Sequence, residues 1–200
     1  MALAALTISA GAFATHRIIE IPAPTPGADM TGTIRQALTD AGAVKDGKVT
    51  VVFQPGAVYN ISRSAATALV RHVSNTTTRG ENPDPTKHFG LWLHGMKNVT
   101  VDGRGATLLT HGEMTAIGID SCTNVTVTNL NIDAADPSVP EMRVVSRTDS
   151  TLTTRVVPPS RYSINPQGKL YWEGEGWQFT GGIAQLWGNG YTLRCPSPMD

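Results

Sequence analysis

Apolar positions along the chain alternate in short runs that turn residues interrupt, and helical spacing marks one early segment. Between Thr33 and Ala43, Ile34, Ala37, Leu38 and Ala41 fall on one side of a short helix that ends at Gly42. Val49 to Phe53 is a continuous β-prone run, stopped by Pro55-Gly56 and resumed over Val58 to Ile61, which predicts strand, sharp turn, strand.

Laying Leu91–Val101 over Ile117–Val127 exposes a repeat of 26 residues. Leu91 and Leu93 fall on Ile117 and Ile119, and Asn98-Val99-Thr100-Val101 falls on Asn124-Val125-Thr126-Val127. Gly95 and Ser121 stand at matching corners. A repeat of that length marks a solenoid, in which each unit buries its apolar face only by stacking on the next. Three short strands plus bends fill one lap, so the expected fold is all-β: a right-handed parallel β-helix capped by the short helix. Asn98 and Asn124 recur at one phase, where they suit a left-handed turn or a ladder between laps better than glycosylation. Residues 62–88 lack periodicity and read as a long excursion from the coil.

Past Asp136-Pro137 the phase is lost. Val144–Val157 alternates through Thr148-Asp149-Ser150 like a hairpin, and Tyr162–Trp172 turns at Asn165-Pro166-Gln167-Gly168. This predicts a small antiparallel β-barrel or sandwich inserted into the solenoid. The expected division is a leader (1–14), the cap helix and first coils (15–140), the inserted unit (141–194) and a truncated continuation (195–200).

Composition narrows the function. With 16 basic and 16 acidic residues the formal charge is zero, which gives no electrostatic case for nucleic acid or an anionic membrane as partner. Charged residues are only 16%, while 20 Gly and 13 Pro favour β structure with many turns. Residues 1–14 read as the apolar part of a secretory signal ending in Ala12-Phe13-Ala14, and no basic residue precedes it, so Met1 is expected inside a longer leader. The product is expected to be secreted or periplasmic. Cys122 and Cys195 have no metal-ligand spacing, so no metal is expected; export permits a disulfide between them, and burial as small hydrophobes is the alternative.

Candidate chemistry gathers at three places. His111-Gly112-Glu113 puts an imidazole and a carboxylate on one bend, where they serve sugar hydroxyls or a satisfied bend network. Asp133, Asp136 and Glu141 form the densest carboxylate cluster, and carboxylates at the lip of such a coil suit acid and base roles in saccharide chemistry, although surface turns use the same residues. Trp172, Trp177 and Trp187 offer aromatic faces for a pyranose or, alternatively, the core of the inserted unit. Asp102-Gly103-Arg104-Gly105 opens no helix and reads as a tight corner, not a phosphate loop.

The run from His111 to Asp120, followed by Asn124–Leu130 and Asp136-Pro137-Ser138-Val139-Pro140-Glu141, resembles the family 110 glycoside hydrolases, the bacterial α-1,3-galactosidases. Gly168–Trp177, with its Gly174-Glu175-Gly176-Trp177 ending, is similar to a segment of their inserted barrel. The resemblance spans residues 28–190. It implies an exported, cofactor-free hydrolase that removes terminal α-1,3-linked galactose from a glycan, of blood group B type or linear, with inversion. It places the catalytic aspartates beyond Asp200 and leaves His111, Glu113, Asp136 and Glu141 as candidate substrate-binding wall. Rival readings are another β-helix polysaccharide hydrolase or lyase, disfavoured by the missing cation cluster, and a non-catalytic carbohydrate-binding or adhesion solenoid.

Overall fold

A computed structural model describes residues 15–71, 85–180, 185–187 and 192–194. The expected leader, Cys195 and the rest of the truncated continuation lie outside the described residues. The protein is mostly strand, with one α-helix among the described residues.

Strand β1 (His16–Glu20) leads to α1 (Thr31–Ala43), and β2 (Lys48–Val52) and β3 (Val58–Ser62) follow. The helix begins two residues before the predicted Thr33. Asp29 Oδ1 accepts from the Thr31 amide at 2.9 Å and from its hydroxyl, so a carboxylate just before the first turn satisfies an N–H the helix leaves free. Ile34, Ala37, Leu38 and Ala41 are buried, as their spacing predicts.

The next strands are β4 (Thr67–Val70), β5 (Thr86–His94), β6 (Lys97–His111), β7 (Thr115–Asp120) and β8 (Thr123–Ala134). All of these but β4, together with β1, β2 and β3, form three parallel stacks. In one, β1, β2, the first half of β6 and the first half of β8 lie side by side, with Val49, Val99 and Val125 in register. In the second, β3 pairs the later half of β6, which pairs the later half of β8, so Tyr59, Leu108 and Ile132 align. The third pairs β5 with β7, Leu91 opposite Ile117 and Leu93 opposite Ile119. The chain therefore visits the stacks in the same order twice: paired residues stand 26 apart in the first and third stacks, the register that the sequence repeat predicts, and 24 apart in the second, after the shift between Asp102 and Ala106.

The asparagine positions show how the corners are made. Asn98 and Asn124 have φ of 56° and 52°, and Asn124 Nδ2 donates to Asn98 Oδ1 at 2.8 Å, so the left-handed turn and the ladder coexist. Gly95 and Ser121 are left-handed as well, at 62° and 54°. The Asp102–Gly105 corner lies inside one long strand: pairing to β8 shifts between Asp102 and Ala106 while Arg104 and Gly105 take positive φ. Asp102 Oδ1 accepts from Arg104 N and from Asn129 Nδ2, both at 3.0 Å. These bonds hold its carboxyl below the ordinary range, the Asn129 side chain contributing most.

The excursion expected over residues 62–88 is partly ordered. After a 3₁₀ turn, Arg63–Ala65, strand β4 runs antiparallel to β5 with Ala68 opposite His88. Its apolar alternation is too short to stand out in sequence. Residues 72–84 lie outside the described residues.

From Glu141 the pairing is antiparallel. Strand β9 (Glu141–Arg147) pairs β10 (Leu152–Val156), and β11 (Arg161–Ile164), β12 (Leu170–Gly174) and β13 (Trp177–Phe179) form a second sheet. Strands β14 (Gln185–Trp187) and β15 (Thr192–Arg194) join β9. Trp172 is 1% exposed and edge-on to Tyr162, so it serves as core and not as the open platform its composition suggested. Trp177 stacks on Phe179, and the side chain of Trp187 lies outside the described residues.

The main core lies among α1 and the stacks, with Ile21, Val51, Phe53, Tyr59, Leu91, Leu93 and Val101 fully buried. Cys122 has no disulfide partner among the described residues and packs against this core, its Sγ–H in donor range of the Leu93 and Asp120 carbonyls. It is partly buried there, and its expected pairing with Cys195 falls outside the described residues.

Candidate functional site

The second stack ends in a rim where β3 and β6 stop together, Ser62 opposite His111. Strand alternation sends Tyr59, Ile61 and Leu108 inward and leaves Asn60, His111 and Asp133 on the outer face. Asn60, Leu109 and Asp133 share one row, and Ser62 and His111 the next.

His111 is bonded on both sides. Its Nδ1 lies 2.9 and 3.1 Å from the two carboxylate oxygens of Glu175, and its Nε2 lies 2.9 Å from Asn60 Oδ1. A doubly protonated ring satisfies both contacts, and with the Asn60 amide turned to offer Nδ2 the neutral ring does so equally. Either way the imidazole ties the rim to the turn between β12 and β13, which carries Glu175. Gly112 makes that approach close: a side-chain carbon there would sit 3.1 Å from Arg63 Cβ and 3.6 Å from the Glu175 carbonyl. Glu113, exposed, lines an adjacent depression that also takes in Arg63, Lys87 and His88.

Asp136 leaves the same rim, since Ala134 stands opposite Thr110 and Ala135 N donates to the Thr110 carbonyl. Its carboxylate receives Arg161 Nη2 at 2.6 Å. Glu141 starts β9, where its amide donates to Ser160 Oγ and its carbonyl accepts from Val157 N. It borders a separate, mostly apolar hollow of about 340 Å3 with Pro137, Val139, Val157, Pro158 and Pro159. His111 and Asp136 thus share a rim, Glu113 opens to its neighbouring depression, and Glu141 faces elsewhere. No hydrogen bond joins the four among the described residues.

Sequence reasoning missed Glu175 as the partner of His111 and Asn60 as its second anchor. The Gly-Glu-Gly-Trp turn was visible, but its target lies 64 residues away and only tertiary packing pairs them. Among the described residues no group of three or more His, Cys, Asp or Glu is placed to hold a metal.

The class defined by these elements is an all-β protein whose repeated rim carries polar and charged side chains. No protein-family model matches the chain. Over 190 residues, 94% of the chain, it is 41% identical to α-1,3-galactosidase A of Bacteroides thetaiotaomicron and covers 33% of that protein. It is 32% identical to α-1,3-galactosidase A of Streptomyces avermitilis over 174 residues, covering 78% of the chain and 27% of the relative. To α-1,3-galactosidase B of Phocaeicola vulgatus it is 26% identical over 185 residues, 88% of the chain and 30% of the relative. The chain spans about a third of the length of these curated relatives. It is a homologue of the α-1,3-galactosidases A and B, as the resemblance to the family 110 enzymes implies.

Proposed function

We propose that this chain forms the opening laps and inserted antiparallel unit of an exported glycoside hydrolase that removes terminal α-1,3-linked galactose from glycans, acting from the chain end, with inversion and without a cofactor. The 41% identity to α-1,3-galactosidase A over nearly the whole chain carries this reading. The lap geometry supports a right-handed parallel β-helix continuing past the lap of β7 and β8. Leu93 is fully buried, while Ile119, its counterpart one repeat later, is 54% exposed; Leu108 is fully buried and Ile132 is 53% exposed. Those residues have the character of an interior without its cover, which a further lap supplies.

In this reading the catalytic carboxylates come from outside the chain. The partners of Asp136 and Glu175, Arg161 and His111, engage those carboxylates in holding the architecture, whereas an inverting pair needs one group to give a proton and one to activate water, at about 6.5–9.5 Å. His111, Glu113, Asp136 and Glu141 act as wall and support.

The test is the full-length protein on a Gal-α-1,3-Gal substrate, followed by proton NMR. Free galactose appearing first as the β-anomer is expected, and the 200-residue piece alone should release none. A folded full-length protein that leaves the α-1,3 linkage intact overturns the proposal, and first appearance of the α-anomer overturns inversion.

A further inference from the structure

The depression beside the rim enters the reading above only through Glu113. Its volume is about 240 Å3, and its lining includes Arg63, Thr86, Lys87, His88, Glu113 and Thr115. Three segments build it: the 3₁₀ turn supplies Arg63, the start of β5 supplies Thr86–His88, and the link into β7 supplies Glu113 and Thr115. Pairing of Ala68 with His88 and of Phe89 with Thr115 fixes these segments relative to one another.

Its two cations are not neutralised by an ion pair among the described residues. Arg71 and Arg161, elsewhere on the protein, each meet an aspartate. Arg63 and Lys87 meet no carboxylate within ion-pairing reach among the described residues, although Glu113 borders the same space. His88 Nδ1 is buried without a hydrogen-bond partner among the described residues, a condition that buried polar atoms rarely tolerate. Two cations, one carboxylate, a threonine hydroxyl and an imidazole around a small open hollow leave an excess of positive charge and of donors.

We infer that this depression is a subsite for a saccharide unit bearing an anionic substituent, a sulfate ester or a carboxylate. The planar guanidinium of Arg63 can take such a group with two parallel hydrogen bonds, and Lys87 adds a second charge. Glu113 and Thr115 serve the ring hydroxyls. The saccharide part rests on the reading under Proposed function; the anionic part rests on the two cations.

The test is calorimetric titration of the full-length protein with galactose 6-sulfate, galacturonate, galactose and inorganic sulfate, alongside a galactose-release assay on a neutral α-1,3-linked substrate. At least one anionic sugar should bind about tenfold more tightly than galactose and than inorganic sulfate. Arg63→Gln and Lys87→Gln should each weaken it about fivefold or more, with unchanged melting temperatures because both side chains reach solvent. Equal affinity for charged and neutral sugars, or charge-dependent binding that survives in the double variant, overturns the subsite. Inorganic sulfate binding as tightly as the sugars overturns the saccharide assignment. Failure of galactose release with charge-dependent binding intact sinks the galactosidase reading and leaves the subsite standing.

Discussion

The parallel stacks and the antiparallel sheets after Asp136 are built from similar β-prone residues, yet they bury them differently. In the stacks Val49, Val51, Leu91, Leu93, Val99, Val101 and Leu108 are at most 2% exposed. After Asp136, Val144 and Trp172 are the buried large hydrophobics among the described residues, while Val145, Leu152 and Ile164 are 45–61% exposed. A side chain inside a stack has counterparts on the strands before and after it, and other stacks across the core. One on a small antiparallel sheet has only the single covered face. The difference lies in arrangement, not composition, and β8 shows it within the stacks. Its Val125 and Val127 repeat Val99 and Val101, but with a partner strand on one side they are only partly buried.

Four experiments can break or sharpen this contrast, all read by urea unfolding of the full-length protein. The largest effect is expected from Leu91→Ala, which opens a cavity in the closed interior and should cost about 3 kcal/mol. Ile164→Ala removes similar bulk from a 61% exposed position and should cost under about 0.5 kcal/mol; equal losses would end the comparison. Next is Gly118→Ala. Its new carbon would lie 2.6 Å from Phe89 Cδ1 and from Trp92 Cε3, so a loss of about 1–3 kcal/mol is expected, partly relieved in a Gly118→Ala, Trp92→Ala double variant.

Asn124→Ala removes the ladder bond to Asn98 and places alanine at positive φ, for about 1–2 kcal/mol. Asn124→Gly, which keeps the backbone at ease, should cost less, and the reverse order would show that the turn conformation is not what asparagine supplies. The smallest effect is on pH dependence. Burial raises the Asp29 pKa, but hydrogen bonds from Ser62 and Thr31 outweigh it and hold the carboxyl below its ordinary value, and Asp102 is lowered by Asn129 and Arg104. Both folded values lie below the unfolded one, so their stabilisation is complete above about pH 4 and fades as pH falls through the folded values. Asp102→Asn should flatten that acid limb, and an unchanged limb in the Asp29→Asn, Asp102→Asn variant would contradict the assignment.

Much of the stacking was legible before any coordinates. The Asn-Val-Thr-Val repeat specifies register because a parallel stack puts like residue over like, and Leu91 over Ile117 follows from counting alone. The helix was legible from Ile34 to Ala41, though its start was not, since Asp29 acts from outside the apolar pattern. Strand β4 escaped notice because four residues carry too little periodicity. At the candidate site the rim residues His111 and Asp136 were readable as polar groups on bends, but the partners that engage them, Glu175, Asn60 and Arg161, were not.

The amino-acid sequence alone determined what repeats: strand type, lap length, corner residues and the homology to α-1,3-galactosidases, each of which depends on positions close together or evenly spaced. Tertiary structure decided which groups remain available. Whether a histidine meets a sugar or a glutamate, and whether an arginine is paired or left facing a hollow, depends on segments dozens of residues apart arriving at one rim. Hydrogen bonds and charge act only over a few ångströms, so no spacing rule along the chain reports such meetings.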